Sequence, residues 1–173
     1  MEQNNISTYL LIDTCVIQLA GKSDKNRSEA IIRCLAELGK EYKLAISEFT
    51  VYENLHGLPG KKIREAVEVL NPLERKTVSS KVLLLSSMLG TLYHDENYDY
   101  IQAGDKIIAS TTILEKGLVL TYNHRDFPPP FFLTKKSLSI EYKKKHYIQH
   151  LDLAIYEPNL NLLARRLLEL QKR

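Results

Sequence analysis

Apolar residues fall into short continuous runs that alternate with longer segments of helical periodicity. The run Tyr9–Ile12 is followed at once by Asp13 and Thr14, which predicts a buried strand ending at Asp13. Two further segments, YKLAIS at residues 42–47 and LVLTY at residues 118–122, have the same character. Short, continuously apolar strands of this kind are typical of a parallel sheet that is covered on both faces.

Five segments between these strands have apolar residues at helical spacing. They are RSEAIIRCLAELGK, EFTVYENLHG, KKIREAVEVL, TVSSKVLLLSSMLGTLYH and GDKIIASTTILEKG. The pattern predicts Ser28 and Ser47 as the N-caps of the first two, and Gly39, Gly57 and Gly117 as helix stops. Alternating strands and helices predict an α/β fold, with a mostly parallel sheet between helices and right-handed crossovers.

The alternation ends at the segment DFPPPFF, in which three prolines remove backbone donors. Beyond it, SLSIEY and YIQHLDLAIY are candidate strands, and NLNLLARRLLELQKR predicts an amphipathic terminal helix that packs on the body or on a partner. The leucine stripe of that helix comprises Leu160, Leu163, Leu167 and Leu170. These changes predict a domain over residues 1–127 and a C-terminal extension over residues 128–173.

Composition restricts the class of protein. A chain of 173 residues with 44% apolar residues is long enough for one good core. Its apolar runs fall short of the roughly 18–20 residues that a membrane span needs, and the segment MEQNNIS lacks the basic start of a secretory signal. We therefore expect a cytoplasmic protein without a membrane partner. Cys15 and Cys34 have neither zinc-site nor disulfide spacing.

Charge is unevenly distributed along the chain. From Pro128 onward the sequence has nine Lys or Arg residues against four Asp or Glu residues, whereas the rest of the chain is net negative. An acidic body with a basic end is suited to contact a polyanion through that end. An ordinary solvated stretch explains the segment KKK equally well.

Four acidic residues occupy positions that a parallel sheet brings to one edge. Asp13 follows the first strand, Glu53 lies in the helix after the second strand, Asp105 begins a later helix, and Asp126 follows the strand LVLTY. The carboxyl ends of the strands are where open α/β sheets place their chemistry. Each acid also has an ordinary explanation, as a strand-end cap, a plain helix residue, a charge at a helix N-terminus or a loop ion pair.

Convergence of these acids would require a compensating charge. Two carboxylates about 5 Å apart repel each other by roughly 3 kcal/mol at an effective dielectric constant near 20. A hard divalent ion such as Mg²⁺ or Mn²⁺ prefers carboxylate oxygens and supplies that compensation. Such an ion can lower the pKa of a bound water and orient it for attack on phosphorus. The pattern thus indicates phosphodiester hydrolysis.

Three segments together resemble the successive motifs of the PIN domain family, and in particular its VapC-like toxins. They are LLIDTCVI, ISEFTVYENLHGL and GDKIIASTTILEKGLVLTYNHRDF, in the family's order and within residues 9–127. The resemblance implies a three-layer α/β/α sandwich. It also implies a metal-dependent endoribonuclease that hydrolyses RNA, commonly a homodimer, and often inhibited by a small antitoxin protein.

The resemblance also implies roles for individual residues. The implied Mg²⁺ or Mn²⁺ ligands, and hence catalytic residues, are Asp13, Glu53, Asp105 and Asp126, and the implied positioning residues are Thr14, Thr121 and Asn123. Two features depart from the family pattern. Cys15 stands where many relatives have Asn, and the chain beyond Phe127 runs past the usual end of the domain.

Other functions would have different sequence requirements. A non-catalytic PIN-like adaptor would bind RNA or protein through the basic end. A receiver domain needs an acidic pair after its first strand and a dehalogenase-like phosphatase needs D-x-D, and LLIDTC contains neither. The P-loop pattern is absent from the sequence. The sequence does not distinguish RNA from DNA as substrate.

Overall fold

A computed structural model describes residues 8–21 and 24–172. The N-terminal segment in which we expected no secretory signal lies outside the described residues. Within them, six strands form one sheet in the order β3-β2-β1-β4-β6-β5. The strands are β1 (Tyr9–Ile12), β2 (Lys43–Ser47), β3 (Glu74–Lys76), β4 (Leu118–Thr121), β5 (Phe132–Lys144) and β6 (Tyr147–Pro158). The first four are parallel and the last two antiparallel, which confirms the mostly parallel α/β sheet.

Helices cover both faces of this sheet. They are α1 (Thr14–Gly21), α2 (Lys25–Leu38), α3 (Glu48–Leu55), α4 (Gly60–Leu70), α5 (Ser80–Asp95), α6 (Ala103–Leu114) and α7 (Leu160–Leu170), with a 3₁₀ turn at His124–Asp126. Leu118 and Leu120 of β4 are buried in one apolar cluster, whereas Val119 between them belongs to another. Because successive strand residues point to opposite faces, the two clusters are the cores of a three-layer α/β/α sandwich.

The parallel strands bring their carboxyl ends to a common edge. Ile12, at the end of β1, is in register with Leu120 of β4, and the backbone N–H of Asp13 continues the ladder to the Leu120 carbonyl at 3.0 Å. On the other side β2 ends at Ser47, where the hydroxyl accepts from Phe49 N at 3.2 Å and begins α3. Asp13 and the start of α3 therefore lie at the same edge.

The chain beyond Phe127 adds to this sheet. β6 pairs with β4 between Val119↔Tyr156 and Thr121↔Ala154, and β5 pairs along β6 as its outer neighbour. Leu163 of α7 is buried in the same cluster as Val119. Both strands predicted in this segment are present. Of the leucine stripe, Leu163 is buried and Leu167 and Leu170 pack against the same cluster, whereas Leu160 is 41% exposed.

Three details differ from the sequence-based expectations. The N-cap of α2 is Asp24, whose side chain accepts from Arg27 N, whereas Ser28 lies inside the helix and donates to the Ala20 carbonyl. Helix α1 was not predicted, because only Asp13 separates it from β1 and its largely buried apolar residues do not show an amphipathic pattern. Strand β3 was not predicted either, because ERK has no apolar pattern and joins the sheet through its backbone.

Candidate active site

Asp13 is a buried carboxylate at the junction of β1 and α1. Only 2% of its surface is exposed. Two donors converge on its Oδ2 atom, the Thr121 hydroxyl at 2.6 Å and the Cys15 thiol at 3.0 Å. Thr121 ends β4 and Cys15 lies in the first turn of α1, so neighbouring elements hold this carboxylate from two sides. These bonds provide the compensation that a buried carboxylate requires.

Glu53 reaches the same edge from α3. The Thr14 hydroxyl donates to Glu53 Oε2 at 2.5 Å and therefore links the start of α1 to this helix. Helix α6 also approaches closely, because a Cβ atom added to Gly104 would lie 3.1 Å from Glu53 Oε1 and 2.5 Å from Phe49 Cε1. The glycine thus permits the approach that places Glu53 beside the first turn of α6.

Asp105 lies in that first turn of α6. Its Oδ2 atom accepts a hydrogen bond from Gln102 N at 3.3 Å, so it does perform the helix-end role that its position allows. Burial, together with the negative charges of Asp126 and Asp13, raises the pKa of Asp105 to about 7. The side chain therefore faces the other acids as well as its own helix.

Asp126 lies in the 3₁₀ turn after β4, with 8% of its surface exposed. Its Oδ2 atom accepts from Asn123 Nδ2 at 2.5 Å, and Asn123 N in turn donates to the Thr121 hydroxyl oxygen at 2.9 Å. Burial and the charge of Asp13 raise the pKa of Asp126 to about 6. A hydrogen-bonded chain thus runs from Asp126 through Asn123 and Thr121 to Asp13.

These side chains line one pocket of about 350 Å³. Its lining residues are Asp13, Thr14, Cys15, Gln18, Glu53, Tyr100, Gln102, Asp105, Asn123, Arg125 and Asp126. Six of the seven predicted site residues are on this surface. The seventh, Thr121, is fully buried and acts on the pocket through Asp13. The structure therefore brings together residues that the sequence separates by more than 100 positions.

Sequence reasoning missed the pocket's basic and aromatic rim. The Arg125 guanidinium lies over the Tyr100 ring, 4.7 Å from its centroid, and both side chains line the pocket. Gln18 and Gln102 were missed as well. Arg125 sits between two residues of the quoted motif, so its position beside Asp126 was available in the sequence, but its pairing with Tyr100 was not.

Comparison with solved structures identifies the fold of the chain. No protein-family model and no curated protein matches the sequence. A chain of the VapBC2 complex from Rickettsia felis, bound to a DNA fragment from their promoter, superposes with a TM-score of 0.58 and 21% identity over 68% of this chain and 90% of that chain. The chain has a VapC-like fold.

A second neighbour agrees with this assignment. A chain of a toxin-antitoxin complex from Klebsiella pneumoniae has a TM-score of 0.52 and 21% identity, and the match covers 70% of this chain and 92% of that one. The VapC-like fold thus accounts for about two thirds of the protein. No helix within the described residues has both the length and the apolar content needed to cross a membrane.

The pocket of this VapC-like fold has a donor set suited to a hard cation. Within residues 8–21 and 24–172, no group of three or more His, Cys, Asp or Glu side chains is arranged so that it could hold a metal ion. Four carboxylates nevertheless line one pocket, and mutual repulsion contributes to the raised pKa values of two of them. Burial and Asp13 raise the pKa of the Cys15 thiol to about 12, so Cys15 is a neutral donor. The carboxylate oxygens of the four acids are donors of the type that Mg²⁺ and Mn²⁺ prefer.

Proposed function

We propose that this protein is a metal-dependent endoribonuclease of the PIN type that hydrolyses RNA phosphodiester bonds. The observation that carries the proposal is the convergence of Asp13, Glu53, Asp105 and Asp126, from four separate segments, on one pocket. Carboxylates that only stabilised the fold would be expected to pair with cations. Here Asp13 and Glu53 accept hydrogen bonds from uncharged hydroxyl and thiol groups, and Asp126 accepts from the Asn123 amide. The positive charge of Arg125 offsets only part of the rise in the pKa of Asp126.

Each polar partner has a definite task in this proposal. Thr121 and Cys15 fix the orientation of Asp13, and Thr14 and Asn123 do the same for Glu53 and Asp126. The four carboxylates would hold one or more Mg²⁺ or Mn²⁺ ions. When bound, such an ion lowers the pKa of a water molecule and neutralises charge on the leaving oxygen.

Arg125 supplies the positive charge that a phosphate needs at this acidic surface. Its guanidinium is held at the pocket by the Tyr100 ring, which restricts its orientation without neutralising it. A planar guanidinium can donate two parallel hydrogen bonds to phosphate oxygens. We assign Arg125 to binding the substrate phosphate, with Tyr100 as its support.

The fold also suggests a partner. The two structural neighbours come from a VapBC complex and a toxin-antitoxin complex. We extend the presence of a small antitoxin partner to the present chain as a proposal, and we propose in addition that this partner inhibits cleavage and that the chain forms a homodimer. Co-expression with the product of an adjacent small reading frame, followed by size-exclusion chromatography, tests the complex and the dimer, and an RNA cleavage assay of the purified complex tests the inhibition.

The decisive experiment measures cleavage of end-labelled single-stranded RNA by the purified chain in Mg²⁺, in Mn²⁺ and in EDTA. We expect cleavage only with a metal ion, and a loss of at least about 100-fold in Asp13→Asn and Asp105→Asn, since even supporting residues of metal sites cost 10- to 100-fold. Asp152→Asn is the matched control, because its hydrogen bond from Ser139 can be kept by the amide oxygen. Undiminished cleavage by Asp13→Asn and Asp105→Asn would refute the proposal.

A non-catalytic RNA-binding adaptor is the alternative, and the basic segment after Pro128 favours it. An adaptor would bind RNA in EDTA and in Mg²⁺ equally and would not cut it under either condition. Its binding would also be insensitive to Asp13→Asn. The same preparations therefore separate the two functions.

A further inference from the structure

The β5–β6 hairpin projects beyond the edge of the sheet at which the acidic pocket lies. β4 ends at Thr121, opposite Ala154 of β6, whereas β5 and β6 remain paired as far as Lys144↔Tyr147. Tyr147 precedes Ala154 by seven residues, which corresponds to about 23 Å of strand. Because β6 runs antiparallel to β4, this excess lies past the carboxyl end of β4. We call residues 138–153 the projecting arm.

The projecting arm is held in place by α2. Ile140 is buried in the same cluster as Ile31 of α2, and Leu138, Tyr142 and Leu151 pack against that cluster. At the far end, Asn26 Nδ2 donates to the Lys143 carbonyl at 2.7 Å. The arm is therefore a packed element with a fixed direction, and its tip has a defined position relative to the pocket.

The tip of the arm, residues 143–148, is strongly basic and exposed. Lys143, Lys144 and Lys145 are consecutive, and among the described residues none of them forms an ion pair. They share a depression of about 360 Å³ with the N-terminal end of α2. Next to them, Tyr147 is 73% exposed and Ile148 is 67% exposed. Unpaired lysines beside an exposed aromatic ring are the combination with which proteins bind single-stranded nucleic acid.

A nucleic acid bound at the acidic pocket needs a basic contact outside the pocket. Four carboxylates repel a phosphate backbone, and within the described residues Arg125 is the one basic side chain that lines the pocket. Affinity for a polyanion must then come from positive charge outside the pocket on the same edge. The tip of the arm meets this requirement.

We propose that the tip of the projecting arm binds the ribose-phosphate backbone of single-stranded RNA whose target phosphate occupies the acidic pocket. The inference rests on the proposed nuclease function and adds to it a second contact, about 23 Å along the strand direction from the sheet edge. The lysines contact phosphates, and Tyr147 stacks on a base. Contacts of these kinds carry little sequence information, so the arm provides affinity and the pocket provides the chemistry.

The test measures binding of a 20-nucleotide fluorescent single-stranded RNA to the full chain in EDTA, where cleavage is prevented. The variant is Lys143→Gln, Lys144→Gln, Lys145→Gln. We expect its affinity to fall by roughly tenfold or more, and the slope of log K against log salt concentration to decrease by about 2, for three lost phosphate contacts.

The control removes three other exposed lysines, with Lys61→Gln, Lys62→Gln, Lys81→Gln. Equal affinities and salt slopes for the two triple variants would overturn the inference, as would absence of RNA binding by the unmodified chain. So would lysine-dependent binding to phosphatidylserine vesicles without lysine-dependent binding to RNA. If RNA binding depends on these lysines but no metal-dependent cleavage is found, the arm remains an RNA-binding site and the proposed nuclease function is rejected. A tip variant that does not fold is replaced by the single charge reversal Lys144→Glu.

Discussion

The Thr121 hydroxyl donates to Asp13 Oδ2 across 2.6 Å, although the two residues are 108 positions apart in the chain. The bond joins the ends of β4 and β1, the two central parallel strands. The same hydroxyl oxygen accepts from Asn123 N at 2.9 Å. One buried threonine thereby fixes both the first acid of the pocket and the turn that carries the last one.

Replacing Thr121 by Val keeps the side chain's shape and removes this hydroxyl. The Asp13 carboxylate loses its shorter donor and Asn123 N loses its acceptor, so we expect the free energy of unfolding to fall by about 1–3 kcal/mol. Thr112→Val is the matched control, since its buried hydroxyl donates only to the Ile108 carbonyl of its own helix. Urea denaturation measures both, and equal losses would show that the link to Asp13 adds nothing.

The stability of the protein without added metal ions should decrease as pH rises. The folded-state pKa values of Asp105, about 7, and Asp126, about 6, lie above the ordinary 3.8 of an aspartate. The folded protein thus binds these protons more tightly than the unfolded chain. This contribution is fully present below about pH 4 and is lost as pH rises to about 7.

The measurement is the denaturation midpoint in EDTA between pH 4 and 8, for the unmodified chain and for Asp105→Asn. We expect the variant to be the more stable of the two near pH 7.5 and the difference to shrink toward pH 4. Glu37→Gln, which removes an exposed charge paired with Lys40, controls for general charge effects. A constant difference across this range would contradict the electrostatic coupling of the acids.

A methyl group at Gly104 should displace the side chains of Phe49 and Glu53, and Glu53 lines the pocket. A Cβ atom there would lie 2.5 Å from Phe49 Cε1 and 3.1 Å from Glu53 Oε1, so the Phe49 ring and the Glu53 carboxylate must move. We expect Gly104→Ala to lower RNA cleavage at least tenfold, as is typical for displaced supports of a metal site. Gly90→Ala is the control, because its nearest contacts are at 4.0 Å and a helix interior gains roughly 0.5–1 kcal/mol from the change. Similar activity in the two variants would argue against this positioning of Glu53.

The terminal helix α7 should be required for stability. Leu163 is 1% exposed and packs in the cluster beneath β4 and β6, so Leu163→Ala should cost about 2–5 kcal/mol. Leu168 on the same helix is 57% exposed, and Leu168→Ala should change stability by less than about 0.5 kcal/mol. Thermal unfolding followed by circular dichroism compares them. A small effect of Leu163→Ala would indicate that α7 is dispensable.

Much of the sheet could be predicted because its strands are short apolar runs with a polar residue at the end. Asp13 and Thr121 both mark such ends, and their neighbours Leu11 and Val119 are fully buried. The acids were predicted for the same reason, since the carboxyl ends of parallel strands must meet. The sequence therefore shows where along a strand or helix each of these residues lies.

The rest depends on contacts that no local pattern contains. Lys76 of β3 is buried. Its Nζ atom forms ion pairs with Glu74 and Glu115 and lies 3.3 Å from the centroid of the Tyr9 ring. A buried lysine is not recognisable from its neighbours in sequence. The stacking of Arg125 on Tyr100 likewise requires two loops to meet in space, and only the folded chain shows that they do.

The position of β6 between β4 and β5 has a consequence for synthesis of the protein. Translation produces all four strands of the parallel core before residues 147–158 leave the ribosome, so until then the outer edge of β4 has no partner. An unpaired strand edge between two apolar sheet faces promotes association with other chains and recognition by chaperones and proteases. Prematurely terminated chains therefore contain all four acids, while the edge of β4 that β6 covers in the full chain stays unpaired.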